Sequence, residues 1–302
     1  MRILLTGGQG FIGQAFLRHL PRSWAVLSIV RRPQQPPQLA NVEEIVCSLS
    51  SVRDIEPQIL AFGPDWCVHL AWDGLPDYSM ERCRQNVSDA LTLFEVVSRV
   101  GVKHFMVSGS CWEYGSLQGC VNEESSPVNL SVFGASKRAI HTILEAMARQ
   151  EVLTFRWARI FFAYGPGQRP TSLIPHLIGE SIKGESLSVR NPSAVQDFIH
   201  IDDVARALIS LLNPEVPGGA YNIGTGRPYS VGSIAKTVAA VTEAELDHNL
   251  VKGDANSDGI WADIEKIKKF AGWQPQIDLE SGIQRTYQAT IKVSPQANTR
   301  HS

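Results

Sequence analysis

Short apolar runs alternate with stretches of helical periodicity through the first half of the chain. The runs predict buried strands at 3–5, 25–30, 66–70, 105–108 and 154–159. The stretches between them repeat apolar residues three and four apart and predict helices at 10–20, 55–61, 81–100 and 136–149. Strands that alternate with helices in this way are typical of a doubly wound parallel sheet covered on both faces. The pattern therefore predicts an α/β fold.

The turn between the first strand and the first helix carries Gly7, Gly10 and Gly13, and Phe11 and Ile12 open the helix. Glycine at this spacing lets the backbone approach a diphosphate, and the free N–H groups of the helix then face the phosphates. A turn that is glycine-rich for purely steric reasons is the alternative. The strand before the turn and the amphipathic helix after it favour a dinucleotide site in a Rossmann-like fold.

Glycine and proline become frequent beyond about residue 165, which predicts a second and smaller lobe. We expect a dinucleotide-binding domain over 1–165, a mainly substrate-binding lobe over 166–293 and a frayed tail over 294–302. Residues 195–228 are expected to return in part to the first domain, because their apolar pattern is that of another strand and helix.

Composition narrows the class of partner. The 28 basic and 30 acidic residues form no long run of either sign, so neither nucleic acid nor a membrane surface is expected as a partner. No apolar stretch reaches the roughly 18 residues of a membrane span and no signal-peptide pattern is present, so the cytoplasm is the expected location. Five cysteines without paired spacing argue against disulfides and a metal site. A small-molecule substrate is expected.

The second strand ends in Arg31 and Arg32. In a dinucleotide fold this position lies beside the adenosine ribose, where a carboxylate accepts from a 2′-hydroxyl and an arginine pairs with a 2′-phosphate. The arginines therefore favour NADP over NAD, although two solvated arginines before a turn are the alternative. Later strand ends are expected to contribute further cofactor contacts from Ser48, Leu49, Leu70 and Ala71.

Two polar side chains are expected beside the cofactor. Ser110 follows a central strand at its carboxyl end, where ligands of open α/β sheets bind, and it can donate to a substrate carbonyl. Lys137 stands four residues after Phe133 at the start of a helix, so the two share one face. Lys137 is then placed to hold a ribose or diphosphate.

Three other ionisable residues are assigned structural roles. His69 lies within an apolar strand and is expected to be a packed core residue rather than a catalytic one. Asp202 and Asp203 stand at a strand-to-helix junction and are expected to cap that helix.

Taken in order, the motifs resemble those of extended short-chain dehydrogenase/reductases of the NAD-dependent epimerase/dehydratase family, over nearly the whole chain. The matching segments are TGGQGFIG, PDWCVHLA, Asn86, SGSCWEYG, FGASK, YGPG, DFIHIDDVARA, YNIGTG and WADIEKIKKFAGWQP. The resemblance implies an enzyme that acts on nucleotide-activated sugars, with a Rossmann lobe, a small C-terminal substrate lobe and catalytic positions at 110, 133 and 137. It also implies a homodimer formed through the helices around 81–100 and 136–149.

Position 133 departs from the family pattern. The family has a tyrosine there, whose phenol exchanges a proton with the sugar while a hydride moves to or from the nicotinamide. Phe133 has no acid–base group, and such a group contributes typically about 10²–10⁴-fold in rate. Three explanations are open: an engineered Tyr-to-Phe change, a natural enzyme that uses another donor, and a binding protein that has lost catalysis. The alternative donors considered are Ser110 with water, Cys111 and Tyr164.

Other departures concern the substrate. Family 4,6-dehydratases carry an Asp-Glu pair directly after the position of Ser110, whereas Glu113 is one place out of register here, so dehydration is not expected. Phe162 and Gln196 replace an asparagine and an arginine that the family often uses. The nucleotide must then be held differently. The expected substrate-binding residues are Trp72, Cys111, Trp112, Phe162, Gln196 and Lys252.

The leading hypothesis is an NADP-dependent reductase of a nucleotide-linked keto-sugar. The arginine pair after the second strand favours a cofactor that is consumed, and hence a reductase. An NAD-dependent sugar-nucleotide 4-epimerase, which returns the hydride that it takes, is the first alternative. A non-catalytic NADP-binding or sensor protein with the same fold is the second.

Overall fold

The computed structural model describes residues 1–33, 39–151, 153–247 and 259–293. Its strands are β1 (Arg2–Thr6), β2 (Ala25–Val30), β3 (Val42–Val46), β4 (Trp66–His69), β5 (His104–Ser110), β6 (Gly119–Val121), β7 (Thr154–Ile160), β8 (Phe162–Tyr164), β9 (Val195–Gln196), β10 (Phe198–His200), β11 (Gly219–Ile223), β12 (Tyr229–Ser230) and β13 (Gly259–Ala262). Its helices are α1 (Phe11–His19), α2 (Glu56–Phe62), α3 (Met80–Arg99), α4 (Val132–Glu151), α5 (Leu173–Lys183), α6 (Ile201–Ser210), α7 (Val231–Thr242), α8 (Glu265–Ala271) and α9 (Leu279–Val293). Short 3₁₀ helices span Leu49–Ile55 and Cys111–Tyr114.

The central sheet has the order β11-β7-β5-β4-β1-β2-β3 within the described residues. Every neighbouring pair of its strands is parallel. The predicted α/β fold with a Rossmann-like, doubly wound sheet is therefore confirmed. The chain order reverses at β1, which lies between β2 and β4. In sheets of this type, ligands bind in the crevice at that reversal, beyond the carboxyl ends of the strands.

Side-chain alternation along the strands builds an apolar layer on each face of the sheet. On β1, Ile3 and Leu5 are buried in one cluster and Leu4 in another, as the two-residue period of a strand requires. Helices α1 and α6 cover the first face, and α3 and α4 cover the second. Both faces of the central sheet are therefore covered by helices.

A second assembly lies beyond the carboxyl ends of the strands. It contains a small sheet of order β12-β9-β13-β6, the parallel pair β8–β10 and an apolar cluster shared by α5, α7 and α9. Strand β6 comes from the first half of the chain, whereas its partner β13 comes from near the end. Among the described helices, none has the length and apolarity needed to cross a membrane.

The expected capping by Asp202 and Asp203 needs correction. The residue that caps α6 is His200, whose Nδ1 accepts from the backbone N–H of Asp202 at 3.2 Å. Asp203 accepts instead from the backbone N–H groups of Gln276 and Ile277, each at 2.9 Å. It therefore joins the start of α6 to the segment before α9.

Candidate functional site

The glycine turn is shaped by two kinds of constraint. Gly7 has a φ of +76°, and a Cβ there would lie 2.6 Å from the backbone nitrogen of Ala71. A Cβ on Gly13 would collide with the carbonyl oxygen of Gly7. Gly10 is different, because its Cβ would meet only the Gly7 oxygen, at 3.2 Å, and would otherwise point into open space. Gly10 precedes the first turn of α1, so the open space lies where a diphosphate would meet the helix N-terminus. The turn therefore fits a dinucleotide.

The arginines after β2 lie beside acidic residues. Arg31 forms an ion pair with Asp73, and Arg82 also reaches Asp73, at 3.2 Å. The amide nitrogen of Gln9, in the glycine turn, donates to the backbone oxygen of Arg32 at 2.8 Å and to Glu44 Oε1 at 3.2 Å. Glu44 of β3 and Asp73 of the loop after β4, neither predicted from the sequence, supply the carboxylates at this end of the sheet.

The remaining predicted cofactor residues lie on the loops that follow β3 and β4. Ser48 and Leu49 begin a 3₁₀ helix, and the Ser48 hydroxyl lies 2.8 Å from that of Ser50. Leu70 and Ala71 follow β4 and are tied to β1, with Leu70 N donating to Thr6 O at 3.1 Å. Ala71 also packs against Gly7. The β4 loop and the glycine turn thus form one wall of the crevice.

His69 lies behind this wall. It is buried, and its Nδ1 is 2.7 Å from the Thr6 hydroxyl. Burial, together with the nearby charge of Lys137, lowers the pKa of His69 to about 3. A neutral, enclosed imidazole is the structural residue that the sequence predicted, and it has no path to a substrate.

Lys137 is buried and points into the carboxyl end of the sheet. Its Nζ donates to the backbone oxygen of Ser108 at 2.8 Å and lies 4.3 Å from the centre of the Trp72 ring. Burial lowers the pKa of Lys137 to about 8, against the opposing charges of Glu113 and Cys83. The ammonium is therefore held by a carbonyl and an aromatic face rather than by a carboxylate.

Phe133 is the centre of an aromatic cluster composed of Trp72, Tyr78, Trp112 and Phe133. Its ring centre lies 5.0 Å from Trp72, 5.1 Å from Tyr78 and 5.7 Å from Trp112, each at a steep angle. Tyr78 also lies 5.1 Å from Trp112. The sequence analysis placed Trp72 and Trp112 near the site but missed Tyr78. Tyr78 belongs to the loop before α3, which no motif marks.

Ser110 and Glu113 form a capping box for the Cys111–Tyr114 helix. The Ser110 hydroxyl accepts from Trp112 N at 3.2 Å, and Glu113 accepts from Ser110 N at 2.8 Å. Glu113 is fully buried and also receives Trp157 Nε1 at 2.8 Å and Arg159 Nε at 3.1 Å. Its carboxylate is therefore committed inside the protein, whereas Ser110 remains at the surface of the crevice.

A cavity of about 350 Å³ opens beside the Cys111–Tyr114 helix and is also lined by residues of β8, β9 and β13. Four of the predicted substrate residues line it, namely Cys111, Trp112, Phe162 and Gln196. The sequence analysis missed its polar wall, formed by Ser116, Asn129 and Ser131. Trp72 lies apart, beside Lys137, and Lys252 lies outside the described residues.

Two of the proton donors considered from the sequence are enclosed. Cys111 is buried, and burial raises the pKa of its thiol. Tyr164 is buried, its phenol donates to Leu279 O at 3.4 Å, and burial likewise raises its pKa. Neither group is suited to giving a proton near neutral pH.

A glycine turn at the reversal of a parallel sheet, followed directly by a helix N-terminus, defines a dinucleotide-binding protein of the Rossmann class. The sequence model of the NAD dependent epimerase/dehydratase family matches residues 3–224. The chain belongs to this family of enzymes that modify sugar nucleotides.

Individual relatives span the whole fold. UDP-glucuronic acid decarboxylase 6 of Arabidopsis thaliana is 25% identical over 94% of this chain and 87% of its own length. A probable dTDP-glucose 4,6-dehydratase of Sinorhizobium fredii is 28% identical, over 95% and 91%. Among solved structures, Thermotoga maritima UDP-glucose 4-epimerase with UDP-glucose has a TM-score of 0.85 at 25% identity, covering 97% of this chain and 99% of its own. MoeE5 with UDP-glucuronic acid and NAD has a TM-score of 0.84 at 28% identity, with the same coverage.

Proposed function

We propose that the protein transfers a hydride between a nicotinamide dinucleotide and the sugar of a nucleotide-linked sugar, in the direction of keto-sugar reduction. The observation that carries the proposal is that Lys137 donates to the backbone oxygen of Ser108 at the end of β5, while the residues directly after Ser110, Cys111 and Trp112, line the cavity. The cofactor, when bound, supplies the hydride.

The residues of the chain have separate tasks in this reaction. The glycine turn receives the diphosphate at the start of α1, and Lys137 donates to the cofactor ribose. Ser110 donates to the sugar carbonyl and polarises it. The cavity residues, with Lys252 added from the sequence motif, hold the nucleotide sugar. Ser48 and Leu49 would contact the adenine of the cofactor, and Leu70 and Ala71 would contact its nicotinamide end.

The proposed hydride donor is NADPH, because both residues that follow β2 are arginines. Arg32 has no ion pair among the described residues, so its guanidinium is available to a 2′-phosphate. Arg31 must break its ion pair with Asp73 in order to bind that phosphate. NAD is the alternative cofactor, supported by MoeE5, whose structure contains NAD.

Phe133 is enclosed by three aromatic rings in edge-on contact. This packing suits a phenylalanine. It therefore favours a natural enzyme with another proton donor over an engineered substitution of tyrosine.

A sugar-nucleotide 4-epimerase is the second candidate. It is supported by the likeness to the Thermotoga maritima 4-epimerase and by the Arg31–Asp73 pair, which removes one arginine from the ribose position. An epimerase would retain NAD through many turnovers, whereas a reductase would exchange NADPH at each one.

The test is to purify the protein, identify any bound cofactor by mass spectrometry, and follow NADPH oxidation with UDP- and dTDP-linked 4-keto-6-deoxyglucose. Lys137→Met is the inactive control. We expect stoichiometric NADPH loss and a reduced sugar. Interconversion of UDP-glucose and UDP-galactose without net NADPH loss would establish the epimerase instead, and NADPH binding without turnover would establish a sensor protein.

The homodimer also remains a proposal. Helices α3 and α4 pack together on one face of the sheet, and Ile143 of α4 exposes 39% of its surface there. Light scattering of the wild type and of Ile143→Glu tests whether this face joins two copies. A monomeric wild type contradicts the proposal.

A further inference from the structure

We propose that Tyr78 supplies the proton that Phe133 cannot, which makes it a further catalytic residue of the sugar oxidoreduction proposed above, on which this inference rests. Tyr78 reaches the site from the loop between β4 and α3, whereas Phe133 belongs to α4. Its ring lies 5.1 Å from Phe133 and 5.1 Å from Trp112. A phenol is thereby restored next to the position from which the chain has lost one.

The loop is anchored while the Tyr78 phenol is free. Ser79 caps α3 by accepting from Arg82 N at 3.4 Å, and the backbone oxygen of Tyr78 accepts from Cys83 Sγ at 3.7 Å. The Tyr78 side chain is half-buried, and its hydroxyl makes no hydrogen bond to any residue for which the structure gives a position. A fixed backbone with an uncommitted hydroxyl suits a group whose partner is the substrate.

The other proton donors, whether suggested by the sequence or by the contacts of Phe133, are less suitable. Cys111 and Tyr164 are enclosed, as described above. Lys137 is only 4% exposed, and its Nζ is engaged by Ser108 O and by the Trp72 ring, 6.0 Å from the centre of the Phe133 ring. The Ser110 hydroxyl can polarise a carbonyl, but a serine gives up its proton only with an adjacent base. Tyr78 is the remaining candidate at this site.

The step balances without a further reagent. The sugar carbonyl carbon receives a hydride from the reduced nicotinamide cofactor, and the π electron pair of the C=O bond moves to oxygen. The O–H bond of Tyr78 then breaks, its proton joins that oxygen to give the alcohol, and the phenolate takes a proton from water. The sugar carbon is reduced and the cofactor is oxidised.

The experiment compares Tyr78→Phe with Tyr287→Phe, a control at a half-buried tyrosine in α9 that is not part of the aromatic cluster around Phe133. Tyr78→Phe is expected to lower kcat by about 10²-fold or more, while calorimetry gives unchanged Kd values for NADPH and for the sugar nucleotide. Adding Phe133→Tyr to Tyr78→Phe is expected to rescue kcat, because a phenol is then supplied from α4.

Each other result overturns the assignment. If Tyr78→Phe turns over like the wild type while Lys137→Met is inactive, another group gives the proton and the oxidoreductase function stands. If Tyr78→Phe weakens sugar-nucleotide binding by the same factor as it lowers kcat/KM, Tyr78 is only a binding residue. If neither the wild type nor Phe133→Tyr converts any sugar nucleotide although NADPH binds, the proposed function fails together with the role of Tyr78.

Discussion

Arg31 and Asp73 form an ion pair that joins the end of β2 to the loop after β4. Arg31 is 75% exposed and Asp73 is 38% exposed, so the pair lies at the surface, where an ion pair contributes about 1 kcal/mol or less. Its energy is small, but its position is informative. The arginine that would recognise a 2′-phosphate already has an anionic partner.

Replacing Asp73 should therefore change cofactor preference. Asp73→Asn keeps the side-chain volume and frees Arg31, so we expect NADP affinity to rise by up to about five-fold and NAD affinity to stay constant. Fluorescence titration with both cofactors measures the ratio. Asp77→Asn is the control, because Asp77 pairs with Arg82 at 3.6 Å and is not among the partners of Arg31. Equal NADP affinity in the wild type and in Asp73→Asn would remove Arg31 from the ribose site.

Two glycines of the turn are required for different reasons: Gly13 for packing of the fold and Gly10 for space next to the ligand. Gly10→Ala adds a Cβ that points mainly into open space, so stability should fall by only about 1 kcal/mol or less, while cofactor binding should weaken about tenfold or more. Gly13→Ala places a Cβ against the Gly7 oxygen and should destabilise the fold by about 1–3 kcal/mol. Thermal unfolding measures the stability of both variants, and titration with the cofactor measures their affinity. A Gly10→Ala protein that binds cofactor normally would place the diphosphate elsewhere.

The buried pair of Glu113 and Arg159 should matter for stability. Glu113→Gln leaves the Arg159 guanidinium without its counter-charge in a site where both side chains are nearly inaccessible, and breaking such a pair typically costs about 3–5 kcal/mol. Glu95→Gln is the exposed control, since Glu95 pairs with Arg53 at the surface at 2.6 Å, and it should lower the free energy of unfolding far less than Glu113→Gln does. Denaturant unfolding measures both. Similar losses in the two variants would contradict the structural role of Glu113.

Lys137 should produce a pH-dependent stability difference. Its pKa is lowered from 10.5 to about 8 in the folded protein, so the unfolded chain binds more protons between those values and wild-type stability rises with pH through that window. Lys137→Met lacks this titration. The free energy of unfolding of Lys137→Met should exceed that of the wild type by most below pH 8. This difference should narrow by on the order of 3 kcal/mol as the pH approaches 10.5. Lys103→Met, at an exposed lysine, is the control for removing a lysine at the surface, and a pH dependence equal to that of Lys137→Met would contradict the assignment to Lys137.

Elements could be predicted from the sequence where their residues interact mainly with near neighbours in the chain. The glycine turn, the strand at Ala25–Val30 and the helix from Met80 follow from periodicity and turn chemistry within a few neighbours. Strand β3 was missed because its residues, VEEIV, lie half-exposed at the edge of the sheet and lack a continuous apolar pattern.

The site was harder to predict wherever contacts are distant along the chain. Glu113 meets Arg159 46 positions later, and Tyr78 meets Phe133 from an irregular loop. No local spacing signals either contact. Likewise, Asp73 lies 42 positions from Arg31, so the ion pair that bears on cofactor choice is a product of the tertiary fold.

The pairing of β6 with β13 affects how chimeras between related proteins can be designed. Its residues Gly119–Val121 form an edge of the small sheet beside β13, and the Val121 oxygen accepts from Asn222 Nδ2 at 2.9 Å. The small sheet is therefore built from residues of both halves of the chain. A chimera cut near residue 165 would separate strands that need each other, so a graft intended to bring a new sugar preference must carry the segment around β6 with it.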